Sequence, residues 1–376
     1  MIILVFLLWN AAWWTLIGSL IQSEISGGWW SVLALALLAV TPLAILVAGF
    51  RGALYPSAFI RVWILRPFWY IQLILPFMGI AGLIGVLVGL PFGAAGTAGR
   101  WGMAIIAVLY VAAAAWGYVG MRRLDVRRLD LRFPSLPSGL DGMRIVQLSD
   151  VHIGPHTSKR HIRRILTAVR DAKPDLIAIT GDQVDDYARD VEIFADAFRD
   201  LAAPLGVYAV PGNHDVYAGW DAVRSGLEEM GITVLVNRAV PVHRNGDRFW
   251  VAGTGDPAGR SWERGGGRSA VPDIGRTLAD VPSNFFVVAL AHNPSLWPAL
   301  AAGGVAVTLS GHTHHGQVSI PRLGWSLASL FTENAMGMYR NDSSVLYVNP
   351  GTNFWGIPLR IGALPEVTVL TIRAGR

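Results

Sequence analysis

The sequence predicts an α/β layered domain preceded by an all-α bundle of membrane-spanning helices. Residues 1–121 contain four long apolar runs that carry no charge. From Met143 onward, short apolar runs alternate with amphipathic stretches. Most of those apolar runs are followed by a small polar cluster built from Asp, Asn and His.

Composition agrees with this division. The chain has 376 residues, is 52% hydrophobic and only 15% charged. A soluble domain carries about 25% charged residues, so part of this chain belongs in lipid. Its 15 Trp point the same way, because Trp favours the membrane–water boundary. Net charge is +5 and the pI is near 9.7. The basic residues are mostly Arg scattered beside apolar segments, without a dense run. No nucleic-acid partner is therefore expected, and anionic lipid or a phosphorylated substrate suits the charge better. The absence of cysteine removes disulfides, thiolate metal sites and Cys nucleophiles.

The apolar runs are Met1–Ile21, Trp29–Gly49, Phe68–Leu90 with a kink expected at Pro76, and Gly102–Met121. Each is long enough to span a bilayer. Met1–Ile21 has neither the basic start nor the small-residue cleavage site of a signal peptide. With no Asp, Glu, Lys or Arg inside the runs, an ion or proton pathway is not expected. The first loop, Ser23–Gly28, has no Lys or Arg, and the third has only Arg100. The second carries Arg51, Arg61 and Arg66, and the last run is followed by Arg122, Arg123, Arg127 and Arg128. The positive-inside rule then gives a multi-pass protein of the cell (inner) membrane with its C-terminal half in the cytoplasm. A re-entrant helix in place of one span would reverse that. The expected division is a transmembrane domain over 1–121, a connector over 122–142 and a catalytic domain over 143–376. The connector alternates apolar and charged positions (LDVRRLDLRF), so it can form an edge strand but not a long tether.

In the C-terminal half, strands are expected at Arg144–Leu148, Asp175–Thr180, Gly206–Val210, Thr233–Val236, Val240–His243, Arg248–Ala252, Phe285–Leu290, Val305–Leu309, Val345–Val348 and Glu366–Ile372. Helices are expected at Lys159–Asp171, Val191–Ala202, Gly219–Met230 and Pro294–Ala302, and a Gly/Arg-rich surface loop at Gly259–Gly267. Such alternation builds a layered α/β domain. Asp150 and His152 follow the first strand. Gly181-Asp182-Gln183-Val184-Asp185 follows the second and Gly212-Asn213-His214-Asp215 the third. His292 follows Phe285–Leu290, and Gly311-His312-Thr313-His314 follows Val305–Leu309. Ligands of open α/β sheets bind at these C-terminal strand ends. Carboxylate, imidazole and amide donors without thiolate suit Mn²⁺, Fe or Zn²⁺. There are more donors than one ion needs, so two ions are expected. Such a pair can clamp both oxygens of an in-line displacement at phosphorus.

The ordered set DVH, GDQVD, GNHD, AH and GHTH resembles the calcineurin-like metallophosphoesterases. The resemblance runs from about Met143 to the C-terminus. The four-span front end and the FWGIPLR segment resemble the membrane-anchored branch of that superfamily. A looser parallel is a superfamily member that cleaves a lipid pyrophosphate. The resemblance implies a four-layer α/β/β/α sandwich with two mixed sheets, and metal-dependent phosphoester hydrolysis by a metal-bridging hydroxide. By the same resemblance, Asp150, His152 and His314 hold one divalent ion, and Asn213, His292 and His312 the other. Asp182 bridges them, with Mn²⁺ first in order and Zn²⁺ or Fe as alternatives. His214 stands by the scissile phosphate, Asp215 orients it, and Asp185 supports the site. Two positions depart from the pattern: His315 stands where Gly is common, and Asn349-Pro350-Gly351-Thr352-Asn353 stands where Gly-Thr-Gly is expected.

Short motifs of Gly, Asn and Asp are ordinarily turns, and only their joint occurrence argues for a metal site. Of the histidines outside the set, His161 and His243 read as surface residues. His156 and His315 adjoin ligand motifs and read equally as substrate contacts or as neither. Arg360 reads as a surface ion pair in preference to a phosphate ligand. Leu323–Phe331 is either ordinary core or a loop that dips into the bilayer or cradles an acyl chain. The expected partners are the bilayer and a phosphorylated or pyrophosphate-linked lipid. A tethered enzyme for soluble nucleotides and a silent metal-binding module are the alternatives.

Overall fold

The computed structural model describes residues 2–22, 28–262, 264–341 and 344–375. The chain divides into two units, Met1–Trp116 and Gly117–Arg376.

Among the described residues, four stretches are long and apolar enough to cross a membrane: Ile3–Gln22, Gly28–Gly49, Ala58–Phe92 and Ala95–Met121, the last running five residues past the first unit's end at Trp116. The second is two helices, Gly28–Val40 and Pro42–Phe50, separated at Thr41. Pro42 has no N–H to continue the ladder, which accounts for the break. The third enters through a π-helical stretch, Arg61–Leu65, and continues as Arg66–Gly89 across Pro76. The last two helices begin earlier than the apolar runs predict and take in Arg61, Arg66 and Arg100 near their N-terminal ends. The Ser23–Gly27 part of the first loop lies outside the described residues. Inside the unit, Gln72 Nε2 donates to Asn10 Oδ1 at 3.1 Å. Leu8, Trp30, Leu38 and Trp63 are exposed. An outer surface of this kind is stable only against hydrocarbon.

The second unit holds fourteen strands among its described residues. They are β1 Asp125–Phe133, β2 Arg144–Leu148, β3 Leu176–Thr180, β4 Val207–Val210, β5 Thr233–Val234, β6 Arg238–Arg244 and β7 Asp247–Gly253. Then follow β8 Val287–Leu290, β9 Val307–Ser310, β10 Ser319–Ile320, β11 Trp325–Ser326, β12 Gly337–Arg340, β13 Val345–Val348 and β14 Glu366–Ala374. One six-stranded sheet runs β1-β14-β2-β3-β4-β5 and the other β12-β13-β9-β8-β7-β6, while β10 and β11 make a separate hairpin. Both large sheets are mixed: β2, β3 and β4 are parallel with β14 antiparallel beside them. β7, β8 and β9 are likewise parallel, with β6 antiparallel at their edge.

Period-two alternation sorts each strand between two cores. Ile145, Leu176, Ala178 and Val210 of the first sheet pack with Val251, Val288, Leu309 and Tyr347 of the second. On the other face of the first sheet, Val146, Ile177, Ile179 and Ala209 pack under Ile165, Phe194 and Trp220. Those three come from helices Lys159–Ala172, Asp190–Phe198 and Asn213–Glu229. The outer face of the second sheet packs Trp250 and Ala289 against Leu278 and Leu300 of short helices. The result is the expected α/β/β/α sandwich. Strands buried on both faces explain why they read as continuous apolar runs.

The connector's edge strand is β1, in register with β14 from Asp125↔Glu366 to Phe133↔Ala374. It starts four residues after Met121, where the last apolar helix ends. Two surface expectations are corrected. His161 is 5% exposed, because its helix packs onto the sheet and its Nε2 meets Thr352 O at 2.9 Å. Arg360 is fully buried rather than part of a surface ion pair.

Candidate metal centre

Parallel β2, β3 and β4 in one sheet and β8 and β9 in the other end at the same edge of the sandwich, and every predicted ligand follows one of those ends. The backbone turns sharply there. Asp150, His152, Asp182, His312 and His314 all have positive φ, between 40° and 71°. That conformation costs a non-glycine residue about 1–2 kcal/mol, and such strain collects where side chains must be aimed.

Two donor groups result. In the first, His152 Nε2 lies 3.0 Å from His314 Nε2, which is 3.2 Å from Asp150 Oδ1. In the second, Asn213 Oδ1 lies 2.8 Å from His312 Nδ1 and 3.1 Å from His292 Nε2. Asp182 stands between them, with Oδ2 3.3 Å from His292 Nε2 and 3.6 Å from His152 Nε2. Asp150, His152, Asp182 and His292 are at most 2% exposed. Carboxylate and imidazole donors buried this deeply around common points suit divalent cations. His292 Nδ1 meets Thr180 O at 2.7 Å. Since a carbonyl only accepts, Nδ1 carries a proton and Nε2 is left for an ion.

The electrostatics follow from burial and this crowding. Burial favours neutral Asp182, yet His292 and His214 hold its carboxyl well below the usual range. His292 is pushed well above its ordinary value, burial being outweighed by Asp182. His312 falls to about 4 through burial and the charge of His292.

His214 sits beside the first group, its ring 4.8 Å from that of His152. Its Nδ1 meets Asp185 O at 2.8 Å and lies 3.3 Å from Asp186 Oδ1. Burial opposes protonation there, but Asp182 and Asp186 raise its pKa to about 10. Rings of Tyr217 and Trp355 stand 5.8 Å from it. Asp215 does not orient His214 as expected. Its carboxylate instead accepts four backbone N–H groups, those of Asp182, Gln183, Val184 and Gly212. As the third residue of its helix, Asp215 points back over the helix N-terminus into the GDQVD loop, away from His214. Asp185 lies against the same residues, its carbonyl 2.8 Å from His214 Nδ1 and its Oδ1 3.4 Å from His152 Nδ1.

Sequence reasoning missed three contributors. Asp186 faces His214, and only its adjacency to Asp185 could have flagged it. Asp256 is buried, with Oδ2 unpartnered, and burial lifts its carboxyl to about 6 against the pull of His292. Arg360 donates Nη1 to His314 O at 2.9 Å and to Pro350 O at 2.6 Å, while Nη2 meets His314 Nδ1 at 2.8 Å. Of the three motif glycines that precede predicted ligands, Gly181 makes room for the His292 ring and the other two for carboxylates. A Cβ on Gly212 would collide with Asp182, and one on Gly311 with Ser149 and Asp150. His315 is buried, facing Val348 O at 3.2 Å, and the His156 ring lies 6.1 Å from that of Phe354.

A family model described as calcineurin-like phosphoesterase matches residues 143–316. A Danio rerio protein named transmembrane protein with metallophosphoesterase domain is 32% identical over 257 residues, 65% of this chain and 57% of its own length. The Bacillus subtilis protein named uncharacterized metallophosphoesterase YkuE is 29% identical over 265 residues, 68% of this chain and 88% of its own. The chain thus spans little more than half of the first relative and most of the second. Among solved structures, the calcineurin-like phosphoesterase YfkN from Bacillus subtilis overlaps with a TM-score of 0.34 at 15% identity, over 60% of this chain and 80% of that one.

Proposed function

We propose that this chain, which carries a calcineurin-like metallophosphoesterase domain behind its membrane-spanning helices, hydrolyses a phosphorylated or pyrophosphate-linked lipid at the cytoplasmic face of the inner membrane. The metal-dependent phosphoesterase reading is supported by the family match and the clustered donors. The observation that carries the dimetal reading is the place of Asp182 Oδ2 between the two donor groups.

Asp150, His152 and His314 would hold one divalent ion and Asn213, His292 and His312 the other, with Asp182 shared. Mn²⁺ heads the order, with Zn²⁺ or Fe as alternatives, and bound ions would supply charge neutralisation and an activated nucleophile. His214 uses Nδ1 for Asp185 O, so Nε2 is the nitrogen available to a substrate. The Asp186 carboxylate, 3.3 Å from Nδ1, favours a protonated His214, which could give a proton to the leaving oxygen. Asp185 and Asp186 hold that ring in place.

The lipid part of the reading is supported by the short path from Met121 to β1 and by the exposed rings of Trp355 and Tyr217 beside His214. The cytoplasmic placement is supported by the Arg residues that follow the last span.

The test is a panel of lipid monophosphates, nucleotide-linked lipids, soluble nucleotides and an aryl phosphate, offered to the full chain in nanodiscs with Mn²⁺, Zn²⁺ or Mg²⁺. Turnover of one lipid class well above the soluble nucleotides is expected. Preference for a soluble nucleotide would overturn the lipid reading, and no turnover of any phosphoester would overturn the catalytic one.

A further inference from the structure

Beyond residue 121, eight large apolar side chains are exposed among the described residues: Tyr217, Ile320, Leu323, Leu327, Leu330, Phe331, Met338 and Trp355. Five of the eight fall within the twelve residues Ile320–Phe331, with Leu323 75%, Leu330 63% and Phe331 85% exposed. The one charge in that stretch is Arg322.

This segment has a fold of its own. β10 and β11 pair Ser319↔Ser326 and Ile320↔Trp325. Pro321–Leu323 and Leu327–Leu330 are 3₁₀ turns. Three of its backbone N–H groups are satisfied locally: Leu327 N–H donates to Val318 O at 2.8 Å, Phe331 N–H to Ala328 O at 2.9 Å, and Ser326 N–H to Ser329 Oγ at 3.2 Å. Ser326 is fully buried and Trp325 half-buried, while Leu323, Leu327, Leu330 and Phe331 are exposed. That is the reverse of a water-facing loop and matches what a segment entering hydrocarbon requires.

Its position names the occupant. The last turn of the fourth apolar helix, Gly117–Met121, belongs to this same unit. A Cβ at Gly117 or Gly120 would collide with Leu359 or Arg360, so the turn lies directly on that segment, and Arg360 N–H donates to Gly117 O at 2.9 Å. The next residue, Ile361, bridges Val318 in parallel, with Ser319 N–H donating to Ile361 O at 2.8 Å. The stem of the apolar loop is thus one bridged pair away from the end of a membrane span. Its other neighbour is the site: Gln317 exchanges two hydrogen bonds of 3.1 Å with the Trp355 backbone, and the Trp355 ring stands beside His214.

We propose that Ile320–Phe331 is a membrane-inserting loop that places Leu323, Leu330 and Phe331 in the bilayer holding the spans, and so sets the mouth of the phosphoesterase site at the headgroup level. The insertion rests on the embedding of the spans, and its link to the site rests on the lipid reading above.

The chain has no native cysteine, so Leu323→Cys, Phe331→Cys and a control, Asp280→Cys in the loop leading to the opposite end of β8, can each carry one nitroxide. The labelled full chain is placed in phosphatidylcholine/phosphatidylglycerol nanodiscs. Relaxation by oxygen, which partitions into lipid, is compared with relaxation by a water-soluble nickel chelate. Labels at 323 and 331 should report burial about 5–10 Å below the headgroup boundary, and the label at 280 should report water. Nickel accessibility at 323 and 331 equal to that at 280 would overturn the proposal. Hydrolysis of an aryl phosphate by the same samples verifies an intact site. If the labels sit in lipid and no lipid phosphoester is turned over, insertion stands and the lipid-substrate reading falls. Lipid turnover with nickel-accessible labels has the opposite meaning.

Discussion

Asp215 Oδ2 accepts the backbone N–H of Asp182 at 2.8 Å, so a residue in the first turn of one motif's helix holds the predicted central ligand of another. The same carboxylate takes the N–H groups of Gly212, Gln183 and Val184. Hydrogen bonds to a charged group are worth about 1.5–3 kcal/mol each. Asp215→Asn turns an NH₂ toward buried N–H donors and should lower the melting temperature by several degrees. Asp182 moves with its backbone, so metal affinity should fall roughly 10–100-fold. Thermal melts and elemental analysis measure both. An unchanged melt with lowered kcat alone would mean that Asp215 acts through His214 after all.

Asp182→Asn is the direct test of the shared ligand. The amide keeps one oxygen but loses the charge that offsets His292 and two cations. Metal content should fall at both positions, with turnover down at least about a hundredfold. Loss of a single equivalent of metal with near-normal turnover would remove Asp182 from its bridging role.

Much of this was legible in the sequence, for a physical reason. β2, β3, β4, β8 and β9 are buried on both faces, so each reads as an uninterrupted apolar run. Each ends where the backbone must turn, and the turn residues are the predicted ligands. What stayed hidden depends on chain-distant partners. β14 inserts between β1 and β2, and nothing local in Glu366–Ala374 announces that. Arg360 resembles a surface cation until Pro350, Asn353 and His314 close around it. The pairing of His214 with Asp185 O and Asp186 comes from a loop 29 residues away, whereas the neighbouring Asp215 looked the natural partner.

His214→Asn separates chemistry from metal binding. Its ring is no part of either donor group, so metal content should stay near that of the parent. Loss of a general acid costs about 10²–10⁴ in rate, and the loss should appear in kcat. Asp186→Asn should move the alkaline limb of the pH–rate profile to lower pH without removing activity, because the ring loses a carboxylate that helps it keep its proton. Metal loss from the His214 variant would instead make His214 a ligand.

His315 gives a stability test with a defined sign. Burial pushes its pKa down to about 3, whereas the unfolded side chain titrates near 6.5. Below about 6.5 the unfolded chain takes up a proton that the folded one refuses, so the contribution to stability is complete above that pH. It is lost as the pH falls toward 3, by about 1.4 kcal/mol for each unit. His161 is lowered in the same sense by burial. His315→Gln keeps a donor for Val348 O and removes the titration. Melting temperatures of the full chain in detergent, taken from pH 8 to pH 5, should fall less steeply for His315→Gln than for the parent. Parallel curves would show that His315 takes up its proton without unfolding. The difference between the two curves isolates this residue, because every other buried group titrates in both proteins.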